Sequence, residues 1–180
     1  MPAYKKKITS PLKDKFILDP CCGPKYMWVN KKHPNVLYGD IRQKKKGFTQ
    51  YRKNLCVAPD MVLDFRDMPF KNGCFKLVVF DPPHLFKGKT ELNLHKAFGS
   101  LSKTTWRRDI KQGFDECWRV LELFGVLIFK WSDYAISFKE IIKTLGKEPL
   151  FYNKFGNTTK SFWACFMKFP EEYNTQEVLE

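Results

Sequence analysis

The ten residues Phe75-Lys-Leu-Val-Val-Phe-Asp-Pro-Pro-His84 restrict what this chain can fold into more than any other stretch. Leu77 to Phe80 is an apolar, β-branched run of the kind that fills a strand buried on both faces. At Asp81-Pro82-Pro83 neither proline can donate a ladder hydrogen bond, and each holds the residue before it extended. The strand therefore ends there, and the chain leaves it stiffly. One reading makes this segment a strand terminator and nothing more. The other uses what the geometry leaves behind: a carboxylate and free carbonyls at fixed positions, which suit holding a neutral amine by acceptors alone.

The remaining elements fall in place around that strand. Lys-rich residues 1–15 form a loose basic arm. Phe16-Ile17-Leu18 is a short buried strand running into Asp19-Pro20-Cys21-Cys22-Gly23-Pro24, with a glycine where the backbone must turn or approach a ligand. A helical turn or short helix is expected from Tyr26 to Lys31. Val36-Leu37-Tyr38 gives a second strand closed by Gly39-Asp40, and Met61-Val62-Leu63 a third ending at Asp64-Phe65. Residues 85–104 lack periodicity and read as a mobile loop. A helix follows from about Trp106 to Leu121, with Ile110, Phe114, Cys117 (or Trp118) and Leu121 on one stripe. Val126 to Phe129 is a strand ending at Lys130-Trp131, and Phe138 to Leu145 a helix closed by Gly146. Leu150-Phe151-Tyr152 and Ser161 to Phe169 pair as an antiparallel hairpin around Gly156-Asn157, and residues 171–180 form a frayed polar tail.

Strands alternating with helices or long crossovers imply an α/β fold, a mostly parallel sheet covered by helices on both faces. Ligands of such sheets sit beyond the carboxyl ends of the strands, near the switch in strand order. Asp19, Asp40, Asp64 and Asp81 all fall at such ends. Capping of a following helix is the alternative role for Asp40 and Asp64.

The 180 residues suffice for one domain with a good core, and 43% apolar residues with 17 Phe fit a globular protein. No apolar run approaches the length that crosses a bilayer, so no membrane partner is expected. Met1 to Lys7 lacks the apolar segment of a signal peptide, and a cytoplasmic protein is expected. The six cysteines form no CxxC pair and the three histidines lie at no ligand spacing, so no metal site is expected. Net charge is +13, and between Ile41 and Pro59 the cations Arg42, Lys44, Lys45, Lys46, Arg52 and Lys53 meet no acid. That imbalance favours a polyanion, RNA or DNA, as partner.

With these residues in view, the chain resembles class I S-adenosylmethionine-dependent methyltransferases over roughly residues 16–169, and among them the amino-methyltransferases of nucleic acids. Asp19-Pro20-Cys21-Cys22-Gly23 looks like their Asp-Pro-Phe-Cys-Gly form, and Asp81-Pro82-Pro83-His84 is similar to their (Asp/Asn)-Pro-Pro-aromatic motif. The resemblance implies a Rossmann-like sheet and S-adenosylmethionine as cofactor. It implies that Asp19, Pro20, Cys21 and Gly23 face the cofactor's methionine part, and Asp40 with Ile41 its ribose. Asp64 and Phe65 would face the adenine, while Asp81 lies between cofactor and acceptor. Two departures stand out: Pro24-Lys25 crowds the glycine loop, and His84 replaces the usual Tyr, Phe or Trp.

The resemblance further implies methyl transfer to an exocyclic base amine, adenine N6 before cytosine N4. Asp81 and the Pro82 carbonyl would accept the amine's hydrogens, and Pro83 would stiffen the motif. His84 would pack on a flipped or single-stranded base. Lys130 and Trp131 have two readings: a phosphate contact with a second stacking face, or a snorkelling lysine beside a core tryptophan. The rivals are a small-molecule or protein amine methyltransferase and a non-catalytic nucleic-acid-binding subunit on the same fold.

Overall fold

A computed structural model describes residues 13–87, 93–154 and 160–173. Most of the basic arm, the hairpin tip at 156–157 and most of the C-terminal tail lie outside the described residues. Seven strands form one sheet in the order β3-β2-β1-β4-β5-β7-β6. They are β1 (Ile17–Asp19), β2 (Val36–Asp40), β3 (Met61–Val62), β4 (Phe75–Phe80), β5 (Leu121–Ser132), β6 (Phe151–Lys154) and β7 (Ser161–Met167). β1 to β5 pair in parallel, and β7 runs antiparallel to both β5 and β6. The α/β reading and the antiparallel C-terminal hairpin both hold. The order reverses between β1 and β4, so the switch point lies between the ends of those two strands.

Among the described residues three α-helices accompany the sheet: α1 (Asn93–Phe98), α2 (Trp106–Val120) and α3 (Phe138–Leu145). The apolar stripe of α2 packs inward, with Ile110, Phe114 and Cys117 fully buried and Phe114 edge-on to Phe166 at 5.1 Å between ring centroids. α3 starts where the Ser137 hydroxyl accepts the Glu140 N–H at 3.2 Å. It stops at Gly146, whose φ of 69° lets its N–H reach back to the Ile142 carbonyl.

Strand alternation divides the apolar residues between the two faces. Leu18 and Leu37 join the main core with Phe80, Phe129 and Trp131. Val36, Tyr38 and Cys22 form a smaller cluster on the other face, with Ile17 and Trp28 against it. Three expectations need correction. No helix forms over Tyr26 to Lys31; the segment is a run of turns and bends, and Lys25 just before it takes a φ of 58° and stacks its ammonium over Tyr38. Lys25 in the left-handed region and the turns and bends on either side of Trp28 leave no uninterrupted helical stretch. The loop expected over 85–104 contains α1. β5 begins five residues earlier than expected, at Leu121, with a register shift against β4 and Phe124 at a φ of 61°. Gly125 permits this bulge, because a Cβ there would stand 2.9 Å from the Glu122 carbonyl oxygen.

Candidate active site

β1 and β4 are neighbours, paired through Ile17 with Leu77 and Leu18 with Val78, so the segments that follow them emerge side by side. Between them opens a cavity of about 640 Å³. Cys21 and Gly23 line it from the β1 side, and Asp81, Pro82, Pro83 and His84 from the β4 side. Lys130 completes the floor.

The acids expected around this cavity have unequal roles. Asp19 is 1% exposed and receives the Trp28 indole N–H at 2.7 Å and the Cys21 amide at 3.3 Å. Burial pushes its carboxyl up to about 7, the Trp28 hydrogen bond only partly opposing it. Asp40, 2% exposed, accepts the Gly23 amide at 2.9 Å and so fixes the glycine loop, whose φ of 49° suits glycine. The same carboxylate takes the Arg42 backbone N–H at 2.8 Å and its guanidinium at 3.0 and 3.1 Å. Arg42 then reaches the Lys96 and Ala97 carbonyls at 3.2 and 3.3 Å, tying the last turn of α1 to the cavity wall. Ile41 between them is exposed.

Asp64 stands outside the cavity wall and holds Arg66 through backbone and guanidinium, with Arg66 also 3.3 Å from Asp109. Phe65 turns inward, edge-on to Phe80 at 5.3 Å between centroids, over Gly113 where any side chain would collide with it. The structure therefore brings Gly23, Asp81, Pro82, Pro83, His84 and Lys130 together and leaves Asp64 and Phe65 aside.

Asp81 is held by two side chains of the cavity wall. Lys130 Nζ donates to its two oxygens at 3.0 and 2.9 Å, and His84 Nε2 lies 2.9 Å from Oδ1. Burial would raise this carboxyl, but the His84 hydrogen bond and charge, with the Lys130 charge, outweigh it and hold Asp81 below the ordinary carboxylate value. The fourth motif position is thus turned toward the acid and not free to lie flat on a ring. His84 stands edge-on to Trp131 at 5.0 Å, and its Nδ1 is buried without a partner.

The stacking reading of Trp131 is corrected here. It is fully buried, parallel to Phe129 at 6.0 Å, with its indole N–H given to the Ile136 carbonyl at 2.9 Å. Alternation along β5 sends Lys130 to the cavity and Trp131 to the core. Residues that the sequence reading missed also line the cavity: Tyr26, Arg42, Phe98, Tyr134 and Trp163. A signal for Arg42 was present, since Asp40-Ile41-Arg42 and Asp64-Phe65-Arg66 repeat an acid with an arginine two residues on. The aromatics come from four separate segments and carry no shared pattern.

No family model and no curated protein sequence matches the chain. Solved structures share its fold. A TehB-like SAM-dependent methyltransferase from Corynebacterium glutamicum matches with a TM-score of 0.54 at 16% identity, over 89% of this chain and 83% of that one. For a SAM-dependent methyltransferase from Methanosarcina mazei the TM-score is 0.52 at 13% identity, over 89% and 95% of the two chains. Geranyl diphosphate methyltransferase in complex with GPP and sinefungin gives 0.51 at 10% identity, over 88% and 72%. At these identities the likeness is one of fold: the seven-stranded, Rossmann-like sheet of class I methyltransferases.

Proposed function

We propose that this protein is an S-adenosylmethionine-dependent N-methyltransferase acting on an exocyclic base amine of RNA or DNA, adenine N6 preferred. The observation that carries the reading is the meeting of Gly23 and Asp81-Pro82-Pro83-His84 in one cavity at the switch point of the sheet.

The cavity fits the cofactor. Its volume of about 640 Å³ matches a nucleoside-sized ligand, and Gly23, at a φ of 49° that favours glycine, brings backbone to the cavity wall. Gly23, Cys21 and Pro24 would hold the methionine part, while Asp19, buried and bonded to Trp28 and the Cys21 amide, supports the loop from behind the cavity wall. Arg42 covers Asp40, so a diol that reaches this carboxylate must displace the guanidinium. When bound, the cofactor supplies a methyl group on a sulfonium, an electrophile that needs no metal or covalent relay. Asp81, kept ionised by His84 and Lys130, acts as an acceptor for the amine's N–H. The amine takes one oxygen from Lys130, and the Pro82 carbonyl accepts the second N–H. Those two acceptors draw the nitrogen lone pair out of conjugation and stabilise the positive charge that develops there.

Nucleic acid as the acceptor is supported by where the cations lie. Residues 44–57 form a small loop closed by the pairing of Lys44 with Val57. Arg52 of this loop sits 5.7 Å from the Phe98 ring, which lines the cavity. Among the described residues Lys44, Lys45, Lys46 and Lys53 carry no ion pair, while Arg107, Arg108 and Lys111 of α2 pair with Glu140, Asp109 and Asp115. An uncompensated cation loop at the cavity mouth suits a phosphate backbone.

A hydroxyl acceptor is the second reading, favoured by the Lys130 ammonium on Asp81, which would stabilise a developing alkoxide. Transfer of tritiated methyl onto total RNA and onto unmethylated DNA, followed by nucleoside analysis, separates the readings. N6-methyladenosine or its deoxy form is the expected product, lost with Asp81→Ala. A 2′-O-methylated nucleoside would replace the first reading with the second. Label only on small molecules or protein would end both.

A further inference from the structure

The chain has five tryptophans. Four of them have ring partners: Trp28 meets Tyr38, Trp106 meets Phe86, Trp118 meets Phe114, and Trp131 meets Phe129 and His84. Trp163 has none among the described residues, and its indole N–H has no acceptor there. It is half-buried in the wall of the cavity. A part-exposed ring in a cavity wall that no other ring of the described residues covers presents a flat face to a planar ligand.

Its position says what that would be. Residues directly opposite in an antiparallel pair share a face of the sheet, and Trp163 on β7 stands opposite Lys130 on β5. Lys130 in turn bridges to Asp81, the residue after Phe80 on β4. Asp81, Lys130 and Trp163 therefore form one row across three adjacent strands, spanning about 9.5 Å at ordinary strand spacing. The Trp163 backbone is held there by its N–H to the Asn153 side-chain oxygen at 3.2 Å. Neither of the two rings expected to stack can do this work, since His84 is turned edge-on to Asp81 and Trp131 of β5 is buried.

We propose that Trp163 is the face on which the methyl acceptor's ring stacks, and that the acceptor is a planar heteroaromatic such as a nucleobase. The inference rests on the proposed function and names the residue that selects its substrate class. The indole supplies the flat face that His84, engaged with Asp81, does not offer, with the acceptor's amine at Asp81 and its ring plane on β7.

The test uses the full chain saturated with S-adenosylhomocysteine and two probes, adenosine and a 12-nucleotide oligoadenylate. Both are titrated by tryptophan fluorescence and by calorimetry. The parent protein is expected to show quenching. Trp163→Leu, which keeps bulk and loses the aromatic face, should lose the quenching and bind both probes about tenfold more weakly. Trp163→Phe should keep most of the affinity. Unchanged S-adenosylhomocysteine binding in both variants reports that they are folded. In the transfer assay Trp163→Leu should raise the acceptor KM with kcat nearly unchanged. Leu and Phe variants that bind the probes equally well overturn the stacking role, and the proposed function survives if the parent still methylates a base amine. A parent that binds S-adenosylhomocysteine but neither probe, and labels no base, overturns both.

Discussion

The β1/β2 end of the sheet and the β4/β5 end present acids at equivalent strand termini, yet their environments run in opposite directions. At the first end Asp19 and Asp40 are 1% and 2% exposed, and their hydrogen bonds go to the glycine loop, to Trp28 and to Arg42. At the second end the Asp81 side chain is 22% exposed, lines the cavity and faces two part-buried partners, Lys130 and His84. Desolvation without a cation lifts Asp19 to about 7, while His84 and Lys130 hold Asp81 low. The first end is a scaffold that shapes the loop. The second leaves a carboxylate at the cavity wall.

The largest effect that could break this division is on stability. Asp40→Ala leaves the part-buried Arg42 guanidinium and the Gly23 amide without their acceptor, and should cost about 1–3 kcal/mol in urea unfolding. Asp81→Ala should leave that midpoint nearly unchanged, because its cavity admits water. If Asp81→Ala destabilised the chain more than Asp40→Ala, the assignment of scaffold and reactive ends would be reversed. The next effect is kinetic: Asp81→Ala should lower kcat by about 100- to 1000-fold, the scale of removing one aligned charge-stabilising group.

A smaller effect concerns pH. Asp19 titrates near 7 in the folded chain against 3.8 as its ordinary value, so the folded state binds the extra proton between those limits. The stability that Asp19 contributes is therefore full below pH 3.8 and is lost as pH rises through 7, changing by about 2 kcal/mol from pH 5 to pH 7. Carboxyl carbon NMR should show one aspartate titrating near neutrality, absent in Asp19→Asn, and Asp81 titrating below the ordinary range. Two aspartates titrating normally at both ends would erase the contrast. The smallest effect lies at the cavity mouth. Replacing Lys44, Lys45 and Lys46 by alanine should reduce the slope of log affinity against log salt for single-stranded RNA by about 2. Replacing Arg107 and Arg108, both already paired, should hardly change it.

Much of the frame was legible. Leu77 to Phe80 followed by Asp81-Pro82-Pro83 forced a buried strand to stop with a carboxylate at its end, and β4 does stop at Phe80. The α3 boundaries follow from Ser137 and Gly146, whose local chemistry acts within one turn. Local signals failed where distant contacts decide. The turns after β1 look helical until Lys25 is seen to spend its side chain on Tyr38. α1 is short, lacks periodicity and takes its anchorage from Arg42, more than fifty residues away in sequence.

By itself the sequence determined that acids would stand at the carboxyl ends of the strands and that cations would gather between residues 41 and 59. Apolar runs, prolines and charge act over a few neighbouring positions and need no partner to be read. Only the tertiary structure decided which acid lines the cavity. Burial and counter-charge belong to the assembled environment, and the lysine that holds Asp81 lies 49 residues away. It also decided that Trp131 would be core and Trp163 would face the cavity, because strand pleat and register assign faces and neither can be set before β5, β7 and their helices are packed.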